Sequence, residues 1–290
     1  MLVLLEKRRY KPHGGAELAT RLILSMLAED NFDVTVITGY RAFNIRNIKC
    51  MYSQLLDVPS KVHLWMNLFK KPMTWLTDLV RKNDVIYIPR VAYPVIPLAK
   101  KYRKKVVVHL HDYQPITYCA TIFAHSLRNH YNTNLFNDMR KSLQYEVLEN
   151  KSIGKGILSS FLTPLIVLVR QLIRNSDEII CVSNKQREIV ASAMPELADK
   201  LRVIYNPLPD VPLIKKKFKN PTFMYLSGDS YIKGFHIFLE ASQRLLKRNP
   251  KASFMLAGSY RNLSRRIIDR LGKNYNLVGY ISHENVLKLH

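Results

Sequence analysis

Short apolar runs alternate along this chain with stretches of helical periodicity, and this alternation restricts the fold more than any other feature. Residues 2–5, Leu-Val-Leu-Leu, have the length and composition of a buried strand. Residues 16–28 carry apolar side chains at helical spacing, Leu18, Leu22 and Met26 beside Ala19, Ile23 and Leu27, and residues 34–38 are again strand-like. A strand, a helix and a strand in this order make a crossover unit, whose right-handed closure sets both strands parallel in one sheet. Further buried strands are expected at 85–88, 106–110, 179–182 and 203–205, with helical patterns between them. The pattern predicts a doubly wound α/β domain.

The texture changes after Asn206. Pro207, Pro209 and Pro212 stiffen a connector that runs on into Lys215, Lys216, Lys217 and Lys219, a composition poor in core formers. The expected organisation is a first domain over residues 1–208, a basic linker over 209–217 and a second domain over 218–290. In the second domain the pattern restarts, with strands at 223–226, 254–257 and 277–278, helices at 235–247 and 263–271, and another helix near Glu284. So few strands suggest a half-built Rossmann unit with an unpaired last edge.

Charge calls for an anionic partner: 45 Lys and Arg against 22 Asp and Glu give a net +23. Nucleic acid, an acidic lipid surface and a phosphorylated substrate all qualify. The basic residues are spread over every segment, with no aromatic RNA-binding signature and no DNA-reading motif, so no nucleic acid is expected and a basic nucleic-acid-binding protein stands as an alternative only. Cys50, Cys119 and Cys181 are far apart, which indicates neither a zinc knuckle nor a disulfide framework and suits a reducing cytoplasm. The longest apolar run, residues 157–169, contains Pro164 and falls short of the ~20 residues that cross a bilayer. Residues 2–5 are too short for the core of a leader and run into Glu6, Lys7, Arg8 and Arg9, so no leader is expected.

Two stretches could seat an anion. In Lys11-Pro12-His13-Gly14-Gly15-Ala16-Glu17 the paired glycines let the backbone turn sharply and bring N–H groups to a ligand at the positive end of the following helix. A plain strand-to-helix turn explains the same residues. Gly228-Asp229-Ser230-Tyr231-Ile232-Lys233-Gly234 repeats the design, with Lys233 in a first helical turn, where the helix dipole disfavours a cation. At the end of strand 106–110 stand His111 and Asp112, and the carboxyl ends of parallel strands border the ligand crevice. His109 and His111 share one strand face, but no third ligand has a compatible spacing, so no metal is expected. Ser183 reads as a helix cap.

Taken in order, the motifs resemble those of the retaining GT-B glycosyltransferases of family 4. They are G-G-A-E at Gly14 to Glu17, H-D at His111-Asp112, S-D-E-I-I-C-V-S from Ser176, Val203 to Asn206, G-x-x-x-x-K-G at Gly228 to Gly234, Ala257-Gly258, and Val278-Gly279-Tyr280. The resemblance implies two Rossmann-like domains facing across a cleft, a nucleotide-sugar donor such as a UDP- or GDP-sugar, and no metal or other cofactor. It implies that Lys233 neutralises the donor phosphates, with Gly14, Gly15, Gly228, Asp229 and Gly234 around them. Gly258 and Tyr280 then lie near the base, His111 meets the transferred sugar, and Glu17 and Asp112 face the acceptor. A dehydrogenase is disfavoured, because neither glycine motif supplies G-x-G-x-x-G after a strand.

Two departures stand out. Many members carry an arginine where this chain has Asp229, so a second phosphate-binding cation has to come from elsewhere. The family's E-x7-E segment has no equivalent before His290, which leaves open a truncated subunit that needs another chain to complete its donor site. Residues 61–82 add a membrane question: Trp65, Phe69, Trp75, Leu76 and Leu79 are interleaved with Lys70, Lys71, Arg81 and Lys82. That pattern fits helices lying on an anionic bilayer or amphipathic helices packed on the sheet. The first option implies peripheral attachment at the inner face of the cell membrane and a lipid-linked glycan or other polysaccharide precursor as acceptor.

Overall fold

The computed structural model describes residues 1–8, 14–70, 73–123, 134–209, 220–281 and 285. The linker expected at 209–217 and the helix expected near Glu284 lie almost wholly outside them. Seven strands form the larger sheet: β1 (Leu2–Leu5), β2 (Thr35–Thr38), β3 (Lys49–Tyr52), β4 (Val85–Ile88), β5 (Lys105–Leu110), β6 (Glu178–Cys181) and β7 (Leu201–Val203). All pair in parallel, in the order β3-β2-β1-β4-β5-β6-β7. The chain winds outward from β1 through β2 and β3, then returns to the other side of β1 at β4. That reversal opens a crevice at the carboxyl ends of β1 and β4.

Helices cover both faces of this sheet: α1 (Gly15–Glu29), α2 (Lys61–Phe69), α3 (Thr74–Lys82), α4 (Ile96–Lys101), α5 (Leu135–Asn150), α6 (Ile153–Leu162), α7 (Leu165–Arg174) and α8 (Asn184–Ala193). Alternate strand residues feed alternate faces. Leu2 and Leu4 join Leu64, Val80, Ile96, Ile173 and Val190 in the larger core, whereas Val3 and Leu5 pack with Leu24 and Ala28 of α1. The stripe read on α1 is corrected here: Ala19, Thr20, Leu24 and Ala28 are buried, while Met26 is 53% exposed. A Leu-rich helix offers several apolar faces, and the position of the sheet chooses among them. The strand expected at 203–205 is likewise β7, two residues earlier.

Three further strands, β8 (Thr222–Tyr225), β9 (Ser253–Ala257) and β10 (Tyr275–Gly279), make a second parallel sheet in sequential order. With α9 (Phe235–Arg248) and α10 (Asn262–Leu271) they enclose a separate core of Phe235, Phe254, Leu256, Tyr260, Ile268 and Tyr275. By contacts the chain divides into Met1–Glu146 with Ser152–Pro209, and Val147–Lys151 with Asp210–His290. Residues 147–151, inside the expected first domain, thus pack with the second unit.

The tryptophan-bearing helices are not a free amphipathic surface. Trp65 is 4% exposed and donates its indole N–H to the Val91 carbonyl at 2.8 Å, and Leu64, Leu76 and Val80 are buried beside it. The apolar side of α2 and α3 faces the sheet, so the bilayer reading of residues 61–82 gives way to ordinary packing. No single described helix is long and apolar enough to cross a membrane; α6 and α7 reach that composition only together, across a 49° bend. Ile166, Val169, Leu172 and Ile173 of α7 belong to the core, whereas Ile153, Ile157, Leu158 and Phe161 of α6 are exposed.

Candidate active site

At the crevice of the larger sheet, Glu6 follows β1, Arg90 follows β4, and His111 and Asp112 follow β5. The Arg90 guanidinium joins two of these elements to α1. Its Nε lies 3.1 Å from Oε1 of the fully buried Glu6, and its Nη1 bonds Oε1 of Glu17. Oε2 of Glu17 in turn accepts the Gly14 N–H at 3.0 Å. Burial works against the Arg90 charge, but Glu6 and Glu17, with Asp112 behind them, outweigh it and hold the guanidinium firmly protonated. Glu17, expected on the acceptor side, therefore uses both carboxylate oxygens to fix the start of α1.

The structure gives the glycine pair a different reason from the sharp turn argued from sequence. Gly14 is extended, at φ −115° and ψ 179°, a conformation open to any residue. A Cβ on Gly15 would meet nothing within 4 Å. Neither glycine is required by its backbone angles, but a Cβ on Gly14 would crowd the Glu17 carboxylate, 3.2 Å from Oε2, which accepts the Gly14 N–H. Lys11, Pro12 and His13 lie outside the described residues.

His111 sits in the same crevice. Its ring lies 4.1 Å, centroid to centroid, from that of His109, whose Nδ1 is 2.7 Å from the Tyr87 hydroxyl. Nε2 of each histidine is buried without a hydrogen-bond partner among the described residues. Burial lowers the His111 pKa to about 4, with Asp112 and Glu17 opposing the shift and Arg90 adding to it. Burial also lowers His109, to about 3, helped by His111. Both rings are neutral at pH 7. Asp112 turns the chain after His111: its Oδ1 accepts the Gln114 N–H at 2.9 Å and its carbonyl accepts from Gln186 Nε2 at 3.2 Å. Beyond it, Ser183 caps α8 by accepting from the Gln186 N–H at 3.1 Å.

These shifts fix a pH dependence. A histidine whose folded pKa is depressed binds its proton in the unfolded chain first, so stability is intact above about pH 6.5 and is lost as the pH falls toward 4. For His111 alone the loss between pH 7 and pH 5 is on the order of 2 kcal/mol. Urea melts at the two pH values check this, and His111→Gln is expected to reduce the difference; equal slopes in variant and wild type would show that another group titrates.

In the second unit the strand ends are laced by glycines. Gly228, at φ +61°, donates its N–H to the Ala257 carbonyl at 3.1 Å, and a Cβ there would lie 2.4 Å from the Ser259 carbonyl oxygen. Gly258, at φ +119°, donates to the Gly279 carbonyl at 2.8 Å, and its Cβ would lie 2.5 Å from the Gly228 nitrogen. Only glycine permits both the left-handed backbone and this approach. Gly234, at φ +80°, caps α9 and leaves Lys233 exposed just before the helix start. Tyr280 is 64% exposed beyond the end of β10.

Asp229 is the centre of a cluster. Its Oδ2 accepts from the Arg261 N–H at 3.0 Å, from Arg261 Nε at 2.9 Å and from Ser264 Oγ at 2.6 Å. Burial opposes the carboxylate charge, but the bonds from Arg261 and Ser264 prevail and hold its pKa below the usual range. A cation thus does stand beside Asp229, supplied by Arg261 at the start of α10. Next along the loop, Ser230 Oγ donates to Glu149 Oε1 at 2.8 Å and the Ile232 N–H donates to Glu149 Oε2 at 3.1 Å.

The structure therefore gathers Gly14, Gly15, Glu17, His111 and Asp112 in one unit, and Gly228, Asp229, Lys233, Gly234 and Gly258 in the other. Sequence reasoning missed Glu6, Arg90, Arg261 and Glu149. For Arg90 a signal existed, since it follows β4 as His111 follows β5. Among the described residues no group of three His, Cys, Asp or Glu could hold a metal ion. A cavity of about 570 Å³ lies elsewhere in the first unit, against Ile37, Met51, Leu55, Trp75 and Leu79, and contains none of the candidate residues.

The sequence model of Glycosyltransferase Family 4 matches residues 13–210, well over half of the chain. The chain belongs to glycosyltransferase family 4. No curated protein sequence matches this family 4 glycosyltransferase, but solved structures do. HepE from Anabaena, solved with UDP and glucose, superposes with a TM-score of 0.59 at 15% identity, over 99% of this chain and 71% of its own. A glycosyltransferase from Rickettsia africae ESF-5 gives 0.59 at 12%, over 99% and 70%. WaaG, involved in lipopolysaccharide biosynthesis, gives 0.56 at 11%, over 100% and 72%. At such identities the likeness is one of fold, and the fold is GT-B.

Proposed function

We propose that this family 4 glycosyltransferase moves a sugar from a nucleotide-diphosphate donor, UDP- or GDP-linked, to an acceptor hydroxyl with retention and without a metal or other cofactor. The observation that carries this reading is the loop before α9: Ser230 Oγ and the Ile232 N–H already hold a carboxylate, beside exposed Lys233. Donors that bind one anion oxygen pair suit another, and the positive end of α9 adds to them. Breaking the sugar–phosphate bond develops positive charge on the sugar and negative charge on the departing diphosphate. Lys233 and these N–H groups stabilise the latter without a metal. HepE, solved with UDP and glucose, supports a nucleotide-sugar donor.

In the first unit, neutral His111, at the end of β5, is the residue we place against the transferred sugar; its Nε2 is buried without a hydrogen-bond partner among the described residues, so a sugar hydroxyl would have to displace its cover to reach it. Calorimetry with UDP, GDP and uridine tests the donor half of the proposal. A diphosphate is expected to bind more tightly than uridine, and equal or absent binding of all three would refute a phosphate seat.

For the acceptor we propose a lipid-linked glycan or polysaccharide precursor, reached from an anionic bilayer on the cytoplasmic side. WaaG's involvement in lipopolysaccharide biosynthesis supports this class. The surface that suits a bilayer is α6, where Ile153, Ile157, Leu158 and Phe161 are exposed beside exposed Lys155, a combination of apolar wedge and basic rim. Flotation with phosphatidylserine-containing vesicles is expected, and to fall in a double Ile157→Ser, Phe161→Ser variant; flotation indifferent to anionic lipid removes the membrane from the proposal.

A further inference from the structure

We infer that Glu149 is a built-in competitor for the donor diphosphate, an internal carboxylate that occupies the anion seat until substrate displaces it. The inference rests on the donor reading above and adds a residue that no glycine motif contains. Both carboxylate oxygens are engaged, Oε1 by the Ser230 hydroxyl at 2.8 Å and Oε2 by the Ile232 N–H at 3.1 Å. The residue is also held by its backbone, whose carbonyl accepts from Arg261 Nη1 at 2.7 Å. Two residues on, the Lys151 ammonium lies 5.8 Å from the Tyr231 ring centroid, a second attachment of segment 147–151 to the same loop.

Charge makes the two anions exclusive. Lys151, Lys233 and Arg261 are positive around this loop, and Asp229 and Glu149 are negative, so Glu149 cancels part of the positive charge of the seat while it is in place. A diphosphate arriving there meets a like charge on the donors it needs, and like charges in contact repel strongly wherever water is partly excluded. Withdrawal of Glu149 frees the Ser230 hydroxyl and the Ile232 N–H and raises the positive charge of the seat. Asp229 stays, because its partners are Arg261 and Ser264. Glu149 thus sets a threshold of donor concentration below which the loop stays closed on its own carboxylate.

The test is UDP binding by calorimetry on the full chain, comparing wild type, Glu149→Gln and Glu149→Ala, with uridine as the ligand that lacks phosphates. Glu149→Gln keeps the shape and removes the charge, so it stays informative even where Glu149→Ala loosens the loop. Removing one like charge from the seat is expected to tighten UDP about tenfold in Glu149→Gln, with uridine affinity unchanged. UDP binding by all three proteins with equal or weaker affinity in the variants overturns the competitor role and makes Glu149 a loop cap, while the donor reading stands. Tightening of uridine and UDP alike also overturns it. Failure of wild type and both variants to bind UDP overturns the donor reading and this inference together.

Discussion

Alanine in place of Lys233 is expected to lower the rate of sugar transfer by roughly 10² to 10³, the usual loss when one preorganised donor to a developing anion is removed. Lys233 stands immediately before Gly234, whose left-handed φ of +80° starts α9, so its ammonium is tethered at the helix end where backbone N–H groups point outward. The dipole there repels a cation, and the position is tolerable because the side chain is exposed to water; the diphosphate of the proposed donor would reverse the local field. The effect belongs mainly in kcat, since negative charge on the diphosphate grows as the sugar departs. Steady-state kinetics with the preferred donor measure it, and Lys233→Arg should recover part of the loss. A near-normal rate in the alanine variant removes Lys233 from the mechanism.

Replacing Arg90 by methionine is expected to cost about 3 kcal/mol or more of folding stability, because removing one partner of a buried ion pair leaves the other charge poorly compensated. The guanidinium meets fully buried Glu6 and largely buried Glu17 together, and Glu17 passes the constraint on to the Gly14 N–H. Methionine fills the volume and offers no donor. Lysine keeps the charge but has no planar fork to reach two carboxylates at once, so Arg90→Lys should fall between the two. Urea denaturation reads the difference, and a loss below about 1 kcal/mol would show that the network adds little.

Both predictions concern residues with different histories in the sequence. The position of Lys233 at the start of α9 was legible because a strand, a glycine turn and a lysine at a helix start form a local pattern whose physics is complete within seven residues. Arg90 was not, although it sits at a strand end, because nothing near it in sequence announces Glu6 or Glu17. The same holds for Asp229. As a sequence letter it looked like a missing cation, and the fold brings Arg261 to it from the next loop. The tryptophans of α2 and α3 show the opposite failure: an amphipathic pattern reports that one face is apolar, but not whether sheet or lipid covers it.

The sequence by itself determined the fold class, the strand and helix alternation, the parallel pairing and the glycine start of α9. These follow from periodicity, chirality and backbone sterics acting over short spans. Tertiary structure alone decided which face of α1 is buried, why Gly228 and Gly258 admit no side chain, and which carboxylates share Arg90. It also placed the Glu149 carboxylate on the loop before α9. Such pairings depend on through-space distance between segments that the chain separates by tens of residues, and linear spacing carries no record of that distance.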